Sequence, residues 1–538
     1  MKFPAAGRRL PKSGLTPSAY GGASRSSEER RTGLGAELNI DPPERALPPA
    51  RPAPPPLAER VKGAVIWRSG SQVVAQLVTW ASTFLVIRLL DPSDYGLFAM
   101  TQVVLVLLNL MNGWGFASAL VQRERIDREQ IRQVFGLLIL LNSTLAAIQF
   151  LMAPLAAAYY RQPEIADLLR VQAVLYFSTP LIALPTALLG REIDFRKQAL
   201  VNLVSAFAGA GTALACAYSG WGVWTLVAAP LVLWWSRAIG MTVAARSLVW
   251  PSFRFRGAGP LIRYGSAMVL VQFFWFVQSQ ADVFIGARML SAHELGIYTT
   301  ALFLTQILAA KFVPPVNEVA FAAYSRMQDR PDSMGAAFLK AVRLIMLLAL
   351  PFYFGLAVTA EPLVLTALGE KWAETVPIVP ILAMAMPFMT LQILFAPATN
   401  ALGRPGVALR TGAVGALILP TAFLIGLNWG IEGLSWAWLG GMALLCGATV
   451  HMSLPAIGVG RSALADSVAP GLLASAAMAG LVLGLDALLP PLGAPARLLL
   501  LAGFGAAAYV ALLFALARPL VEEAIAVLRS RREVAPAA

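Results

Sequence analysis

The chain has 538 residues, 58% hydrophobic and only 13% charged, with a mean hydropathy of +0.67, which excludes a soluble fold of this size and indicates a polytopic membrane protein. The formal net charge of +13 would suggest nucleic acid in a soluble protein, but here the arginines fall between apolar runs, where the anionic cytoplasmic leaflet holds them, so nucleic acid is not an expected partner. Two cysteines and two histidines give metal chemistry no support: Cys216 and Cys446 sit inside apolar runs as packing residues, His293 and His451 at helix ends without nearby ligands, and no cofactor is expected.

Residues 1–60 are rich in arginine, proline, serine and alanine and include Arg-Pro-Ala-Pro-Pro-Pro at 51–56. They cannot bury enough apolar surface to fold, and they lack the short apolar core of a signal peptide, so a disordered, basic cytoplasmic tail is predicted.

About fourteen membrane spans follow, near 67–90, 95–119, 133–157, 165–189, 199–219, 222–245, 261–288, 294–320, 337–359, 374–400, 406–427, 431–454, 463–488 and 495–517. Lysine and arginine divide eighteen to six between the even-numbered and odd-numbered connections. That bias predicts both termini in the cytoplasm and an even number of spans.

The turn after the first span, Arg88-Leu-Leu-Asp-Pro-Ser-Asp-Tyr-Gly-Leu-Phe98, recurs as Arg288-Met-Leu-Ser-Ala-His-Glu-Leu-Gly-Ile-Tyr298. Asp94 answers Glu294, and Gly96 answers Gly296. Three further landmarks repeat in order: Arg68, Gly70 and Ser71 with Arg263, Gly265 and Ser266; Leu189-Gly190-Arg191 with Leu402-Gly403-Arg404; and Trp221-Gly222-Val223 with Trp429-Gly430-Ile431. A duplicated six-span unit is expected. The predicted organisation is an N-lobe at 61–246, a cytoplasmic linker at 247–260, a C-lobe at 261–455, two further spans within 456–517 and a cytoplasmic tail at 518–538. Because six is even, both lobes cross the membrane in the same sense and enclose a cavity between them.

Polar stripes indicate what faces that cavity. The first span carries Ser69, Gln72, Gln76, Thr79 and Thr83 on one helical face, the seventh Gln272, Trp275, Ser279 and Asp282, and the second Gln102, Asn109 and Asn112. Lipid offers these groups no hydrogen bonds, so they turn inward, either as glue between helices or as a wet lining, and two related helices with corresponding stripes favour the lining. Charges inside spans are few: Arg237, Asp282, Lys311 and Glu318. Lys311 either pairs with Asp282, snorkels, or presents a cation to a phosphate, and Asp282 is a candidate proton or sodium site. Arg237 snorkels easily, and Arg88 and Arg288 complement helix carboxyl ends. Prolines such as Pro154, Pro230, Pro314 and Pro387 supply bending points for a protein that rocks between two openings.

The turn at 89–98, Gly-Arg-Glu-Ile-Asp-Phe-Arg-Lys at 190–197, the run from Asp282 to Tyr298 and Tyr-Ser-Arg-Met-Gln-Asp at 324–329 resemble the polysaccharide transporter branch of the multidrug/oligosaccharidyl-lipid/polysaccharide flippase superfamily, over roughly residues 60–455. The resemblance implies an all-α, multi-pass protein of the bacterial inner membrane with a MATE-like fold, a Wzx-type flippase and not an enzyme. Its substrate would be an undecaprenyl-diphosphate-linked sugar repeat unit moved to the periplasmic leaflet for exopolysaccharide, capsule or O-antigen (lipopolysaccharide) assembly. It further implies a V-shaped pair of lobes around a cationic cavity and contact with membrane lipids, a polymerase and export machinery. Lys311 and Arg68 lie on helices that carry cavity arginines in related lipid II flippases. The expected substrate-binding residues are therefore Lys311, Arg68, Gln72, Gln76, Gln272 and Asn109, with Asp282 for ion coupling. A multidrug exporter of the same superfamily would place carboxylates in the cavity instead, and a membrane glycosyltransferase or polymerase would need a sizeable outer loop, whereas the longest predicted, near Glu361 to Glu374, has about fifteen residues.

Overall fold

The structure is a computed structural model that describes residues 57–112, 127–191, 195–254, 259–327 and 331–533. The side chains of 57–69, 259–271, 331–332 and 516–533, and all of the predicted tail up to residue 56, lie outside the described residues.

In the N-lobe, α1 (Leu57–Leu89) and α2 (Pro92–Asn109) flank the first copy of the repeated turn. Then comes α3 (Arg128–Tyr160). The fourth predicted span is two helices, α4 (Glu164–Gln172) and α5 (Ser178–Arg191), separated by a 3₁₀ turn at Ala173–Phe177. Pro180 accounts for the break, since it has no N–H to donate and its ring excludes the carbonyl four residues back. Helices α6 (Phe195–Tyr218) and α7 (Trp224–Ala245) complete the lobe.

The C-lobe repeats the order with α8 (Gly259–Met289), α9 (Ala292–Ser325) and α10 (Pro331–Val358). The predicted outer loop is folded, as a short helix α11 (Ala360–Ala367) and a 3₁₀ turn at Glu370–Thr375. Gly369 between them has φ of 95°, which a residue with a Cβ adopts only under strain. The tenth span is α12 (Ile378–Ile393) followed after Leu394 by α13 (Phe395–Ala401); Pro397 blocks continuation as Pro180 does. Helices α14 (Pro405–Gly426) and α15 (Gly430–Ile457) end the lobe. Beyond it run α16 (Arg461–Leu488) and α17 (Ala494–Glu533). The last helix thus continues past the predicted end at 517, and α1 starts before the predicted 67.

Eleven stretches among the described residues are long and apolar enough to cross a membrane, and one of them, Pro405–Ile457, contains both α14 and α15. Helix α2, with its polar first turn, and α8, which carries Gln272, Gln278, Gln280, Asp282 and Arg288, fall outside that set. The protein is an all-helical, multi-pass membrane protein; length and apolarity alone do not yield the expected count of fourteen.

The duplication is visible in packing. Helix α1 lies against α6, and α6 against α7; in the C-lobe α8 lies against α14, and α14 against α15. Helices α16 and α17 flank the C-lobe, α16 on α10 and α17 on α16 and α11. The Tyr509 hydroxyl donates to the Leu347 carbonyl at 2.7 Å. Between the lobes, Ser252 is tied to the start of α3: its backbone N–H donates to the Arg132 carbonyl at 2.9 Å and its hydroxyl to Glu129 Oε1 at 2.6 Å.

The buried core is unevenly shared. Around the repeated turns one continuous cluster joins the lobes, from Ile87, Leu97 and Met100 through Leu295, Ile297 and Tyr298 to Trp372. Toward the opposite end it gives way to separate clusters, Val134, Phe135, Leu138 and Leu184 in the N-lobe and Val313, Phe338, Phe395 and Leu454 in the C-lobe. Among the described residues, apolar packing joins the lobes at one end and forms separate clusters at the other.

Candidate functional site: a cavity between two lobes

The sealed end is built from the duplicated turn. Asp94 Oδ2 accepts the Asp91 backbone N–H at 3.1 Å, and Glu294 Oε2 accepts that of Ser291 at 2.8 Å. Each acid thereby caps the helix that it opens, α2 or α9. The two helix starts then cross so closely that a Cβ on Gly96 would lie 1.8 Å from the Ala292 carbonyl oxygen, and one on Gly296 1.7 Å from that of Pro92. Only glycine permits that approach.

Further contacts bridge the lobes at this end. Trp372, fully buried, donates its indole N–H to the Ile87 carbonyl at 2.9 Å and meets the Tyr95 ring edge-on at 5.5 Å. Lys371 Nζ reaches Asp91 Oδ1 at 2.9 Å. Tyr159 stacks on Phe284 at 4.9 Å, and Arg288 donates to the Tyr159 carbonyl at 2.6 Å. Arg288 therefore does more than complement its own helix end.

Beneath the seal lies a cavity of about 670 Å³ with walls from both lobes. From the N-lobe come Thr79 and Thr83 of α1, Phe98 and Gln102 of α2, and Thr225 and Trp234 of α7; Ser279, Gln280, Thr300 and Gln306 come from α8 and α9. Helix α6 contributes Ala206, Gly209, Ala210 and Ala213, a face of small residues that leaves the space open. Thr79 and Thr83 donate to carbonyls of their own helix, each at 2.8 Å, which leaves their oxygens able to accept. The hydroxyls of Thr225 and Thr300 are buried without a partner among the described residues.

Asp282 belongs to the same wall and is wholly buried. Its carboxylate accepts from the Tyr298 hydroxyl at 2.7 Å, the Trp438 indole at 3.2 Å and the Val283 backbone N–H at 2.8 Å. The Trp438 indole also contacts the Tyr298 hydroxyl. Among the described residues no ion pair joins Asp282 to Lys311, whose side chain is exposed. Three donors in place of a cation hold a carboxylate in apolar surroundings.

The other predicted residues fall in two groups. Gln72 and Gln76 on α1 and Gln272 on α8 are exposed or half-buried. They follow Thr79 and Ser279 along their helices, away from the seal, by about 4.5–10.5 Å. Lys311 lies about 7.5 Å beyond Gln306 in the same direction. The side chain of Arg68 lies outside the described residues. Asn109 instead lines a second cavity, about 420 Å³, inside the N-lobe and adjacent to the first, with Phe98, Gln102, Leu226, Pro230 and Trp234 bordering both.

No lysine or arginine is among the described residues of the central wall. One cation does approach a residue that both cavities share: Arg237 holds its guanidinium carbon 5.5 Å from the ring of Trp234, and its Nε is buried without a hydrogen-bond partner among the described residues. An arginine inside a span was the available signal; its place near a helix end made snorkelling the simpler account.

Comparison with known proteins bears on this architecture. Residues 85–377 match a family described as polysaccharide biosynthesis protein. The chain is 26% identical over 342 residues to the succinoglycan biosynthesis transport protein ExoT of Rhizobium meliloti (strain 1021), covering 63% of this chain and 69% of that protein. It is 21% identical over 330 residues to the lipopolysaccharide biosynthesis protein WzxC of Escherichia coli (strain K12), covering 61% and 67%. Among solved structures, the lipid II flippase MurJ in an inward closed conformation superposes with a TM-score of 0.70 at 12% identity, over 85% of this chain and 100% of MurJ. An inward-facing multidrug resistance MATE transporter gives 0.54 at 15% identity, over 75% and 99%.

Proposed function

The chain belongs to the family of polysaccharide biosynthesis proteins, and from that premise we propose that it is a flippase that carries a polyprenyl-diphosphate-linked oligosaccharide across the bacterial inner membrane by alternating access. One observation carries the reading: a mainly apolar cavity that receives hydroxyls and amides from both lobes, shut at the repeated turns, lies above a region where the described cores of the two lobes are separate. The relatives named for succinoglycan and lipopolysaccharide biosynthesis supply the substrate class.

The transport problem is one of solvation. A glycan headgroup carries many hydroxyls and a diphosphate, and each loses several kcal/mol on entering hydrocarbon without hydrogen bonds. The amides and hydroxyls of α1, α2, α8 and α9 replace water for the sugars, while the polyprenyl chain stays in lipid between the lobes. The cations assigned to the diphosphate in this reading are Arg237 in the N-lobe and Lys311 in the C-lobe, with Arg68 of α1 as a further candidate. No covalent bond needs to change. With the termini in the cytoplasm, as the distribution of arginine and lysine favours, the sealed end is periplasmic and the substrate enters from the other end. Asp282, held by Tyr298 and Trp438, is the residue through which a proton or sodium gradient would act.

Deletion of the gene in its host, with complementation by the full chain, tests this. Surface polysaccharide is expected to vanish while lipid-linked repeat units accumulate in the inner leaflet; undiminished export in the deletion strain would refute the reading. A second reading, a cation exporter of the same superfamily, is favoured by one observation, that the charged residue at the central wall is an acid. It predicts loss of resistance to organic cations with polysaccharide intact.

A further inference from the structure

The second cavity belongs to one lobe. Its described lining comes from α2 and the residues just after it, the α4–α5 break and α7; Gln102, Asn109, Gln172, Tyr176, Thr179 and Trp234 are among its polar and aromatic members, and the described lining holds no acid or base. A chamber meant for phosphate would carry cations, and one meant for an acyl chain would be apolar. Uncharged amides and hydroxyls beside aromatic rings suit a neutral polyol.

Two independent features mark the chamber as built for an occupant. Gln172 is 1% exposed; its Nε2 donates to Thr101 Oγ1 at 3.1 Å, but its Oε1 is buried with no partner. Such an orphaned acceptor costs about 1–3 kcal/mol, and the residue that carries it belongs to the chamber's lining. The wall also includes part of the 3₁₀ turn at Ala173–Phe177, and irregular backbone at membrane depth is tolerated where it faces protein or a polar cavity. Tyr176 is fixed in that wall by its hydroxyl, which donates to Gln149 Oε1 at 3.0 Å, and Gln149 in turn donates to the Leu169 carbonyl at 2.8 Å.

We propose that this N-lobe chamber is the subsite for the neutral sugars of the carried glycan, and that Gln102, Asn109 and Gln172 select which repeat unit is accepted. The inference rests on the flippase reading above. Its mechanical logic is that the central cavity loses one wall whenever the lobes rock apart, whereas a chamber inside one lobe keeps its shape. Sugars seated there stay held while the access side changes, and the diphosphate remains in the shared cavity near Arg237.

Gln172→Leu removes the orphaned acceptor, and Asn109→Leu alters a second wall position that is not buried. The full chain and each variant are reconstituted in proteoliposomes with two probes on one polyprenyl diphosphate: a single hexose, and the complete repeat unit extracted from host membranes lacking the protein. The ratio of complete-unit to single-hexose translocation is expected to fall about tenfold in either variant, the weight of one buried polar contact. A ratio within twofold of the unaltered protein in both variants would overturn the assignment. If the unaltered protein moves neither probe, the flippase reading falls and this one with it; if it moves both and only the ratio is insensitive, the flippase reading stands and the chamber holds water alone.

Discussion

Gly96 and Gly296 occupy equivalent places in the two copies of one turn, and each lies where a side chain would strike the start of the other's helix: 1.8 Å from the Ala292 carbonyl oxygen in one case, 1.7 Å from that of Pro92 in the other. The duplicated sequence therefore meets itself at the closed end of the molecule. The glycine crossing itself is a backbone contact, and parting it also separates the ring contacts of Trp372 with Tyr95 and of Tyr159 with Phe284 that flank it.

Gly96→Ala or Gly296→Ala forces α2 and α9 apart at that crossing. A cysteine placed at Phe98, in the central wall, should then react severalfold faster with a membrane-impermeant maleimide added outside the cell. An unchanged rate in both variants would show that the crossing does not govern access.

Trp372→Phe removes the indole donor to the Ile87 carbonyl but keeps an aromatic ring for Tyr95. The closed state should lose about 1 kcal/mol, or roughly fivefold in population. Lys371→Ala breaks an exposed pair with Asp91, worth about 0–1 kcal/mol, and a long contact of 3.4 Å to the Leu89 carbonyl. The same labelling assay should rank Trp372→Phe clearly above Lys371→Ala, and the reverse order would place the seal in the charges.

Asp282→Asn preserves the shape of the side chain and an oxygen to accept from Tyr298 and Trp438, so the variant should reach the membrane at normal abundance. Gradient-driven export should nevertheless cease. Full export by Asp282→Asn would make the buried acid a structural member of the C-lobe.

Arg237→Gln and Lys311→Ala each remove a charge proposed for the diphosphate. A charge-assisted contact of about 1.5–3 kcal/mol predicts a loss of roughly tenfold to a hundredfold in export. Quantified surface polysaccharide at matched protein abundance checks both, and normal export by one variant removes that residue from the route.

The sequence made the architecture legible because membrane spans and duplicated turns are local signals. The Asp94 and Glu294 correspondence is realised as a pair of matching helix caps, and the stripe positions Thr79, Thr83, Gln102 and Ser279 line the central cavity. Less legible was what depends on tertiary placement. Stripe periodicity gives a face of a helix but not a depth along the cavity, so it could not separate Gln102 in the wall from Gln272 toward the far end. It could not foresee that Asp282 is met by Tyr298 and Trp438 rather than by Lys311, since Trp438 comes from a helix 156 residues away in sequence. Nor could it place Arg237 against Trp234: the two are neighbours on one helix, but that Trp234 borders both cavities is decided by packing between helices.

Clamping the closed end gives the most direct test. Asp91 and Lys371 face each other across the lobes with Nζ and Oδ1 2.9 Å apart, so cysteines introduced by Asp91→Cys and Lys371→Cys can be bridged in living cells by a short bis-methanethiosulfonate, which forms a disulfide with each thiol as methanesulfinate leaves and is released by reduction. The measured quantity is newly made polysaccharide at the cell surface before bridging, after bridging and after reduction. Export should stop on bridging and resume on reduction, because the glycan leaves only when these turns part; export that continues unabated through a clamped end would contradict alternating access between the lobes.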